Sequence, residues 1–218
     1  MPEAVLFDWG NTLVRLEWDD DCVEAGHRAA LGHDDPEFTA RWRRLLLGDA
    51  HGHRPYEELL AELGVDDPDA FIEREHEVWR RQYVVLASAA TLLESLRERG
   101  LQTGVVANSW PDPARVLRTD AEALGLAAHL DALVFSGDVG HRKPAPEIFL
   151  HACAELRVDP AQVVFVGNDL ERDVHGASRV GMTTVQALWF RADEQRAIEP
   201  DFTAFTAVDV LEVVRRLA

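Results

Sequence analysis

Cysteine, lysine and long apolar runs are scarce in this sequence, and each scarcity excludes a class of protein. Two cysteines, Cys22 and Cys153, cannot build a disulfide framework, so we interpret both as core residues. The opening sequence MPEAVLFDWG has no basic stretch followed by a long apolar one, and no run approaches the roughly 18 to 20 apolar residues of a membrane span. We therefore expect a reduced, cytoplasmic protein without a membrane segment.

Positive charge is scarce as well. The chain has 22 Lys and Arg side chains against 39 Asp and Glu, which gives a formal net charge of -17. This balance argues against nucleic acid or an anionic membrane as a partner. With 218 residues and 47% hydrophobic content, the chain can bury one sizeable core and a smaller appended unit. The composition favours a globular protein that acts on a small molecule, and it leaves the oligomeric state open.

Two signals alternate along most of the chain. Short apolar runs predict buried strands at residues 3–7, 101–107, 132–135, 162–167 and 183–187. Segments with helical spacing lie between them, and they begin at Ser88, Asp112, Lys143 and Leu170. Strand followed by helix, repeated, predicts a three-layer α/β fold with a parallel sheet. Ligands of such folds bind at the carboxyl ends of the strands.

One long stretch breaks this alternation. Residues 16–83 contain several helical patterns, including DPEFTARWRRLLLG, RPYEELLAELG and DPDAFIEREHEVWRRQY, and no convincing strand. We interpret 16–83 as an all-helical cap inserted after the first strand, with residues 1–15 and 84–218 forming the catalytic core. Such a cap would hang over the edge of the sheet where the first strand ends.

Four polar segments follow predicted strands or open a predicted helix. They are DWGNTL with Asp8, Gly10 and Thr12, VVANSW with Asn108 and Ser109, GHRKPAPEIF with Lys143, and VGNDLERD with Asn168, Asp169 and Asp173. Each segment alone is a weak signal. Their order, and the apolar runs that precede them, make the combination specific.

In this combination the sequence resembles the haloacid dehalogenase-like superfamily, in the subgroup with a helical cap after the first strand. The resemblance spans nearly the whole chain. It implies a Rossmann-like core, an aspartate nucleophile that forms a covalent intermediate, a Mg²⁺ ion in most members and usually phosphate monoester substrates. By position, Asp8 matches the nucleophile, Thr12 the threonine of the first motif, Lys143 the lysine of the third and Asp173 the second acid of the fourth.

The chemistry of these residue types agrees with the resemblance. A carboxylate nucleophile divides one difficult displacement into two easier ones. Converging carboxylates repel one another unless a cation lies among them, and Mg²⁺ prefers such oxygen ligands. The candidate metal ligands are Asp8, Gly10, Asn168, Asp169 and Asp173. Lys143 would keep Asp8 ionised and balance the charge of a bound phosphoryl group.

Lys143 is the only lysine in the chain. All the other side chains among the 22 Lys and Arg are arginines, so the survival of one lysine at the motif position favours a functional role. The cap therefore contains no lysine. This excludes the mechanism of related enzymes that cleave phosphonates through a Schiff base on a cap lysine.

Three residues depart from the family pattern. Gly10 stands where most phosphatases of the family have an aspartate that protonates the leaving alcohol and activates water. A general acid and base of this kind typically contributes about 10² to 10⁴ in rate. Ala107 replaces the usual phosphate-binding Ser or Thr, and Asn168 replaces the first acid of the fourth motif. These changes predict a slow Mg²⁺-dependent phosphatase, or one restricted to good leaving groups.

Two alternatives stay open. A 2-haloacid dehalogenase of this family also lacks the helper aspartate and needs no metal. Such an enzyme usually binds the substrate carboxylate with an arginine near the start of the cap, and Arg41, Arg43 and Arg44 are the candidates here, with Arg41 the one we select. Phe149, where those enzymes have tyrosine, and the acidic NDLERD segment argue against it. The other alternative is a binding protein that has lost turnover.

The remaining candidates for substrate binding flank the motifs, and Gly10 and Asn108 are two of them. Ser109 could replace the hydroxyl lost at Ala107, and Trp9 and Trp110 follow strand ends beside the predicted site. A backbone amide at Trp9 or Gly10 is a candidate donor to developing negative charge. The histidines show no spacing typical of a zinc site, so we interpret them as loop residues. They are His27, His33, His51, His53 and His76.

Overall fold

The computed structural model describes residues 1–15, 19–49, 54–190 and 197–218. The strands are β1 (Ala4–Phe7), β2 (Val14–Arg15), β3 (Val84–Val85), β4 (Gln102–Ala107), β5 (Ala132–Phe135), β6 (Val163–Gly167), β7 (Thr183–Ala187) and β8 (Phe202–Ala204). The helices are α1 (Asp20–Leu31), α2 (Pro36–Gly48), α3 (Tyr56–Glu62), α4 (Pro68–Arg80), α5 (Ala89–Glu98), α6 (Ala114–Ala123), α7 (Ser136–Val139), α8 (Pro146–Leu156), α9 (Gly176–Ser178) and α10 (Ala207–Leu217). A π-helical segment, Leu170–His175, precedes α9.

Six strands form one parallel sheet in the order β5-β4-β1-β6-β7-β8. Strands β2 and β3 form a separate two-stranded sheet. Along the chain, the six strands are arranged as 3-2-1-4-5-6, which is the doubly wound Rossmann-like order. The direction of winding reverses between β1 and β6. Ligands of such sheets bind at this switch point, outside the carboxyl ends of the two strands.

The predicted α/β fold class is confirmed. All five predicted strands are present, and those at 132–135 and 183–187 have the predicted bounds. Strands β1, β4 and β6 are fully buried or nearly so, as expected for inner strands covered on both faces. Strands β2, β3 and β8 were not predicted.

The core on one face of the sheet is built from strand residues and α8. The apolar side chains of α8 pack on those of β1, β4, β5 and β6. The buried residues of this core include Leu6, Val106, Val134, Phe149, Cys153 and Phe165. The ring centroids of Phe149 and Phe165 lie 5.1 Å apart in an edge-to-face contact. Cys153 is therefore a packing residue, as predicted.

The chain divides into two compact units. The core unit contains Met1–Arg15, Val85–Asn108 and Ala121–Ala218, and the helical unit contains Leu16–Val84 and Ser109–Asp120. The segment after β4, which the sequence analysis assigned to the core, is thus grouped with the helices. The boundary residues 16–18 and the histidines at 51 and 53 lie outside the described residues.

The helices of the helical unit begin at strong capping signals. Asp19, Asp35 and Asp67 each accept a hydrogen bond from a backbone N–H in the first turn of α1, α2 and α4. Proline occupies the first position of α2 and α4, where its missing N–H costs nothing. None of the helices in the described ranges is long and apolar enough to cross a membrane.

A polar chain runs through the apolar core of the helical unit. Trp42 Nε1 donates to the Tyr56 hydroxyl at 2.7 Å, and that hydroxyl lies 3.0 Å from Glu75 Oε2. Glu75 is fully buried, and its Oε1 lies 3.2 Å from His27 Nε2. Burial raises the pKa of Glu75 well above its usual value and lowers that of His27 to about 4. Both shifts favour the neutral forms, and His27 Nδ1 shares a hydrogen bond with Thr39 Oγ1 at 2.7 Å.

A second buried cluster joins α4 to the segment at 109–120. His76 Nε2 lies 3.0 Å from Asp112 Oδ1, and its Nδ1 lies 3.6 Å from Asp120 Oδ2. Arg80 donates to Asp120 at 2.6 Å. Burial opposes the charged imidazole, but the two carboxylates outweigh it and raise the pKa of His76 to about 10. His27 and His76 are thus buried helix residues, and interpreting them as loop histidines was wrong.

A close contact between α1 and α4 gives the first prediction. A Cβ placed on Gly26 would lie 2.3 Å from Trp79 Nε1, and the indole is fully buried. We expect Gly26→Ala to lower the free energy of unfolding by about 1 to 3 kcal/mol, since the indole has no room to move. Gly48→Ala is the matched control, because Gly48 is also helical and a Cβ added there would have nothing within 4 Å. Urea unfolding of both variants tests this, and equal stabilities would contradict it.

The His76 cluster predicts a pH dependence of stability. The pKa of His76 is raised to about 10 from an unfolded value of about 6.5. Its contribution is therefore fully present below pH 6.5 and is lost as the pH rises through 10. We expect the destabilisation by His76→Gln to be largest at pH 6 and to shrink towards pH 10. Unfolding free energies across this range, with His33→Gln as an exposed control, measure it. A constant difference would refute the assignment.

Candidate active site

Polar residues converge where the two central strands end. Asp8 follows β1 directly, and its backbone N–H bonds the carbonyl of Val166 in β6 at 2.9 Å. Asn168 and Asp169 follow β6, and Asn108 follows β4, the other neighbour of β1. The parallel register therefore places the predicted motif residues of the core unit at one edge of the sheet, at the switch point.

Lys143 lies between two carboxylates. Its Nζ donates to Asp8 Oδ1 and to Asp173 Oδ1, each at 2.6 Å. The Lys143 and Asp173 side chains are almost completely buried, and the Asp8 side chain retains 12% exposure. The aromatic ring of Phe165 lies below the ammonium, with its centroid 5.5 Å from Nζ. Asp8 is the member of this triad that keeps some access to solvent.

Burial and charge act in opposite directions on this triad. Burial alone would lower the pKa of Lys143, but the carboxylates of Asp173 and Asp8 outweigh it and raise that pKa. Burial raises the pKa of Asp173 to about 6, against the opposing effect of Lys143. The ammonium therefore stays charged at neutral pH and provides the positive charge beside Asp8.

Both oxygens of Asp173 have partners. Oδ1 accepts from Lys143, and Oδ2 accepts from the backbone N–H of Asp169 at 2.9 Å. Gly167 makes room for this side chain, because a Cβ at position 167 would lie 2.5 Å from the Asp173 carboxylate. The carboxylate is therefore fixed by the end of β6 and directed at Lys143.

Asp169 is engaged with Arg172. Its side chain caps the π-helical segment by accepting from the Arg172 backbone N–H at 2.7 Å. Its other oxygen accepts from Arg172 Nε at 2.8 Å and NH2 at 2.6 Å. Burial opposes ionisation, but these bonds outweigh it and lower the pKa of Asp169. Asp169 is thus an ionised carboxylate that holds the helix start.

The Thr12 hydroxyl faces two oxygen atoms. Its Oγ1 lies 3.4 Å from Asp8 Oδ2 and 3.5 Å from Asn168 Oδ1. These are long contacts, and a hydroxyl has one hydrogen to donate. Asp8 and Asn168 therefore present two oxygens to the same small volume, and Thr12 can satisfy only one of them at a time.

A tight turn holds Thr12 beside Asp8. The carbonyl of Trp9 accepts from the backbone N–H of Leu13 and Val14 at 3.1 and 3.0 Å. Asn11 occupies the left-handed region with φ of 59°, which asparagine tolerates better than most residues. Trp189, just after β7, donates its indole N–H to the Thr12 carbonyl at 2.8 Å. The sequence did not lead us to predict this role for Trp189, although its place just after a strand was a usable signal.

The other predicted substrate residues are distributed over both units. Trp9 is buried in the core unit, and its indole N–H has no hydrogen-bond partner among the described residues. Gly10 is half-buried and forms an isolated bridge with Val14. Ser109, Trp110 and Arg41 belong to the helical unit, where Arg41 is exposed on α2. Their contact with a substrate remains a prediction.

The arrangement places a partly accessible carboxylate, Asp8, beside the ammonium of Lys143. Such a pair is suited to nucleophilic attack on an electrophile that carries or develops negative charge. In the ranges 1–15, 19–49, 54–190 and 197–218, three or more His, Cys, Asp or Glu side chains are nowhere grouped as a metal site.

The triad predicts a non-additive pair of substitutions. We expect Lys143→Met to cost about 3 to 5 kcal/mol of stability, since it leaves two buried carboxylates facing each other without a cation. Adding Asp8→Asn should recover part of this loss, because one carboxylate then remains. A double-mutant cycle by urea unfolding at pH 7 measures the coupling. Equal effects of Asp8→Asn in both backgrounds would contradict the geometry.

Comparison with known proteins identifies the family of this chain. Residues 2–181 match the family model described as "Hydrolase: haloacid dehalogenase-like hydrolase". The N-acetylmuramic acid 6-phosphate phosphatase of Pseudomonas aeruginosa is 32% identical over 191 residues, covering 84% of this chain and 80% of the relative.

Two solved structures are similar over nearly the whole chain. A HAD phosphatase from Thermococcus onnurineus has a TM-score of 0.73 at 25% identity, covering 97% of both chains. A 2-haloacid dehalogenase from Pseudomonas syringae pv. Tomato DC3000 has the same TM-score at 22% identity, covering 100% of both, and that likeness concerns the fold. This chain belongs to the haloacid dehalogenase-like hydrolases, and its relatives support hydrolysis of the phosphatase type.

Proposed function

We propose that this protein hydrolyses a small phosphorylated compound by transferring its phosphoryl group first to Asp8 and then to water. The observation that carries the proposal is the 2.6 Å bond from Lys143 Nζ to Asp8 Oδ1 at the end of β1. Lys143 holds the attacking carboxylate in position and balances part of the phosphoryl charge. The similarity to phosphatases supports this choice of electrophile.

The first step forms an aspartyl-phosphate. An oxygen of Asp8 attacks phosphorus, the phosphorus–oxygen bond to the substrate breaks, and the electron pair leaves with the substrate oxygen. That oxygen must take up a proton if it is an alkoxide. Gly10 has no side chain to supply one, so the proton comes from solvent, or the leaving group is one that needs none, such as the carboxylate of an acyl phosphate.

The second step regenerates Asp8. Water attacks phosphorus, the bond between Asp8 and phosphorus breaks, and inorganic phosphate and one proton are released. A general base beside the water would accelerate this step by about 10² to 10⁴. Since position 10 offers none, we expect hydrolysis of the aspartyl-phosphate to limit turnover.

The residues around Thr12 fit a Mg²⁺ ion. Asp8 Oδ2 and Asn168 Oδ1 both approach Thr12 Oγ1, which can donate to only one of them at a time. These two oxygens and the carbonyl of Gly10 would hold the ion, with substrate and water oxygens completing the set. Asp173 and Asp169 then have orienting roles, because their carboxylates are engaged by Lys143 and Arg172. Bound Mg²⁺ supplies positive charge that offsets the charge of the transferred group.

The first test is phosphate release from sugar phosphates, other phosphate monoesters and acyl phosphates. We expect Mg²⁺-dependent release that EDTA abolishes and excess Mg²⁺ restores. Acyl phosphates should have the highest kcat/KM, because this ratio reports the first step, in which the leaving group departs. The Asp8→Asn variant should release no phosphate, because the substitution removes the nucleophilic carboxylate while keeping the size of the side chain. Glu147→Gln, an exposed change on α8, is the control. Undiminished release by Asp8→Asn would refute the proposal.

Position 10 gives a gain-of-function prediction. Gly10→Asp should raise turnover of alkyl phosphate monoesters by up to about 10² to 10⁴, since it restores an acid and base beside the scissile bond. Gly10→Asn has nearly the same size and no ionisable group, so it should give no gain. Steady-state rates of the two variants on one monoester make the comparison. Equal rates would show that the missing acid is not what limits this enzyme.

Dehalogenation of a 2-haloacid is the second candidate, because Gly10 leaves a site suited to a leaving group that needs no proton. Single turnover in H₂¹⁸O separates the two reactions. Water attacks phosphorus in an aspartyl-phosphate and labels the released phosphate, whereas it attacks the carbonyl carbon of an alkyl ester and labels Asp8 itself. Label in Asp8 after turnover of a haloacid would favour the dehalogenase. Ligand binding that survives Asp8→Asn, without turnover of any compound, would favour a binding protein.

A further inference from the structure

Asn108 holds the backbone of Lys143 at two points. The Lys143 N–H donates to Asn108 Oδ1 at 2.8 Å, and Asn108 Nδ2 donates to the Lys143 carbonyl at 3.1 Å. The side-chain amide thus pairs with both backbone groups of one residue, as a neighbouring strand would. Both residues belong to the core unit.

Lys143 needs such an anchor because it lies outside regular structure. It is in the loop between α7 and α8, so no sheet ladder or helix bonds fix its backbone. Its side chain has a flexible four-carbon stem, yet Nζ must meet Asp8 and Asp173 at 2.6 Å each. Fixing the backbone limits the positions that the ammonium can reach.

Asn108 connects Lys143 to β4, the strand that lies beside β1 and the nucleophile Asp8. It follows Ala107, the last residue of β4, and β4 pairs in parallel with β1 so that Val105 is opposite Phe7. Asp8 and Asn108 therefore leave adjacent strands of one sheet. We call the two hydrogen bonds between Asn108 and the Lys143 backbone the clamp. The clamp fixes the Lys143 backbone relative to β4, and the Lys143 ammonium in turn contacts Asp8.

We propose that Asn108 is a positioning residue that acts through Lys143, rather than the substrate ligand that the sequence suggested. The proposal rests on the proposed function, because it gives the clamp a role in aligning the Lys143 ammonium with the Asp8 nucleophile. A misplacement of about 1 Å at a reacting group can cost about 10² in rate. We expect Asn108→Ala to lower the single-turnover rate of Asp8 phosphorylation at saturating substrate by about 10- to 100-fold, with the affinity for substrate unchanged.

The single lysine of the chain allows a direct test. Protein grown with ¹⁵Nζ- and ¹³Cε-labelled lysine gives signals from Lys143 alone. We expect these signals, recorded without substrate, to shift in Asn108→Ala and to shift less in Asn108→Asp. The aspartate has the same size and keeps the acceptor for the Lys143 N–H, so it also serves if the alanine variant does not fold. Gln162→Ala, which removes an amide bonded to Glu3, should leave the signals in place.

The lysine spectra and the kinetics distinguish a failure of the clamp from a failure of the proposed function. Lysine signals at the wild-type position in both Asn108 variants would overturn the clamp, whatever the rates. A weakened substrate affinity with an unchanged single-turnover rate of Asp8 phosphorylation would also overturn it, because that result identifies a substrate ligand. Shifted signals in a protein that turns over no phosphorylated compound would uphold the clamp and refute the proposed function instead.

Discussion

The site depends on one ammonium group that is shared by two buried carboxylates. Removing such ions from water costs several kcal/mol each, and a single cation facing two anions offsets this only if the geometry is good. The neighbours supply that geometry: Asp169 donates its N–H to Asp173, and Asn108 holds the backbone of Lys143. Because Asp173 is almost completely enclosed, Asp8 is the carboxylate that can meet a substrate.

The fold explains why these groups meet. The winding of the sheet reverses between β1 and β6, so helices leave the two strands in opposite directions and open a crevice at their carboxyl ends. The helical unit is stabilised by different means. Its core buries a neutral chain through Glu75 and a charged cluster around His76, and both require hydrogen bonds to be tolerated in an apolar interior.

Sequence predicted the features that rest on local pattern and missed those that rest on tertiary contact. A short apolar run indicated each inner strand, whereas β2 and β3 have two residues each and carry no periodicity. His27 and His76 were misjudged because their burial depends on partners distant in sequence. Motif order identified Asp8 and Lys143, but the clamp by Asn108 bridges 35 residues and no spacing rule reveals it.

Direct detection of the covalent intermediate tests the central claim that Asp8 is a phosphoryl-accepting nucleophile. The measurement is the intact mass of the protein, quenched in acid during turnover of an acyl phosphate with Mg²⁺, followed by peptide mapping. The result expected is one added phosphoryl group on the peptide containing Asp8, and none in Asp8→Asn. Phosphate release without any adduct, or an adduct on another peptide that persists in Asp8→Asn, would contradict the claim.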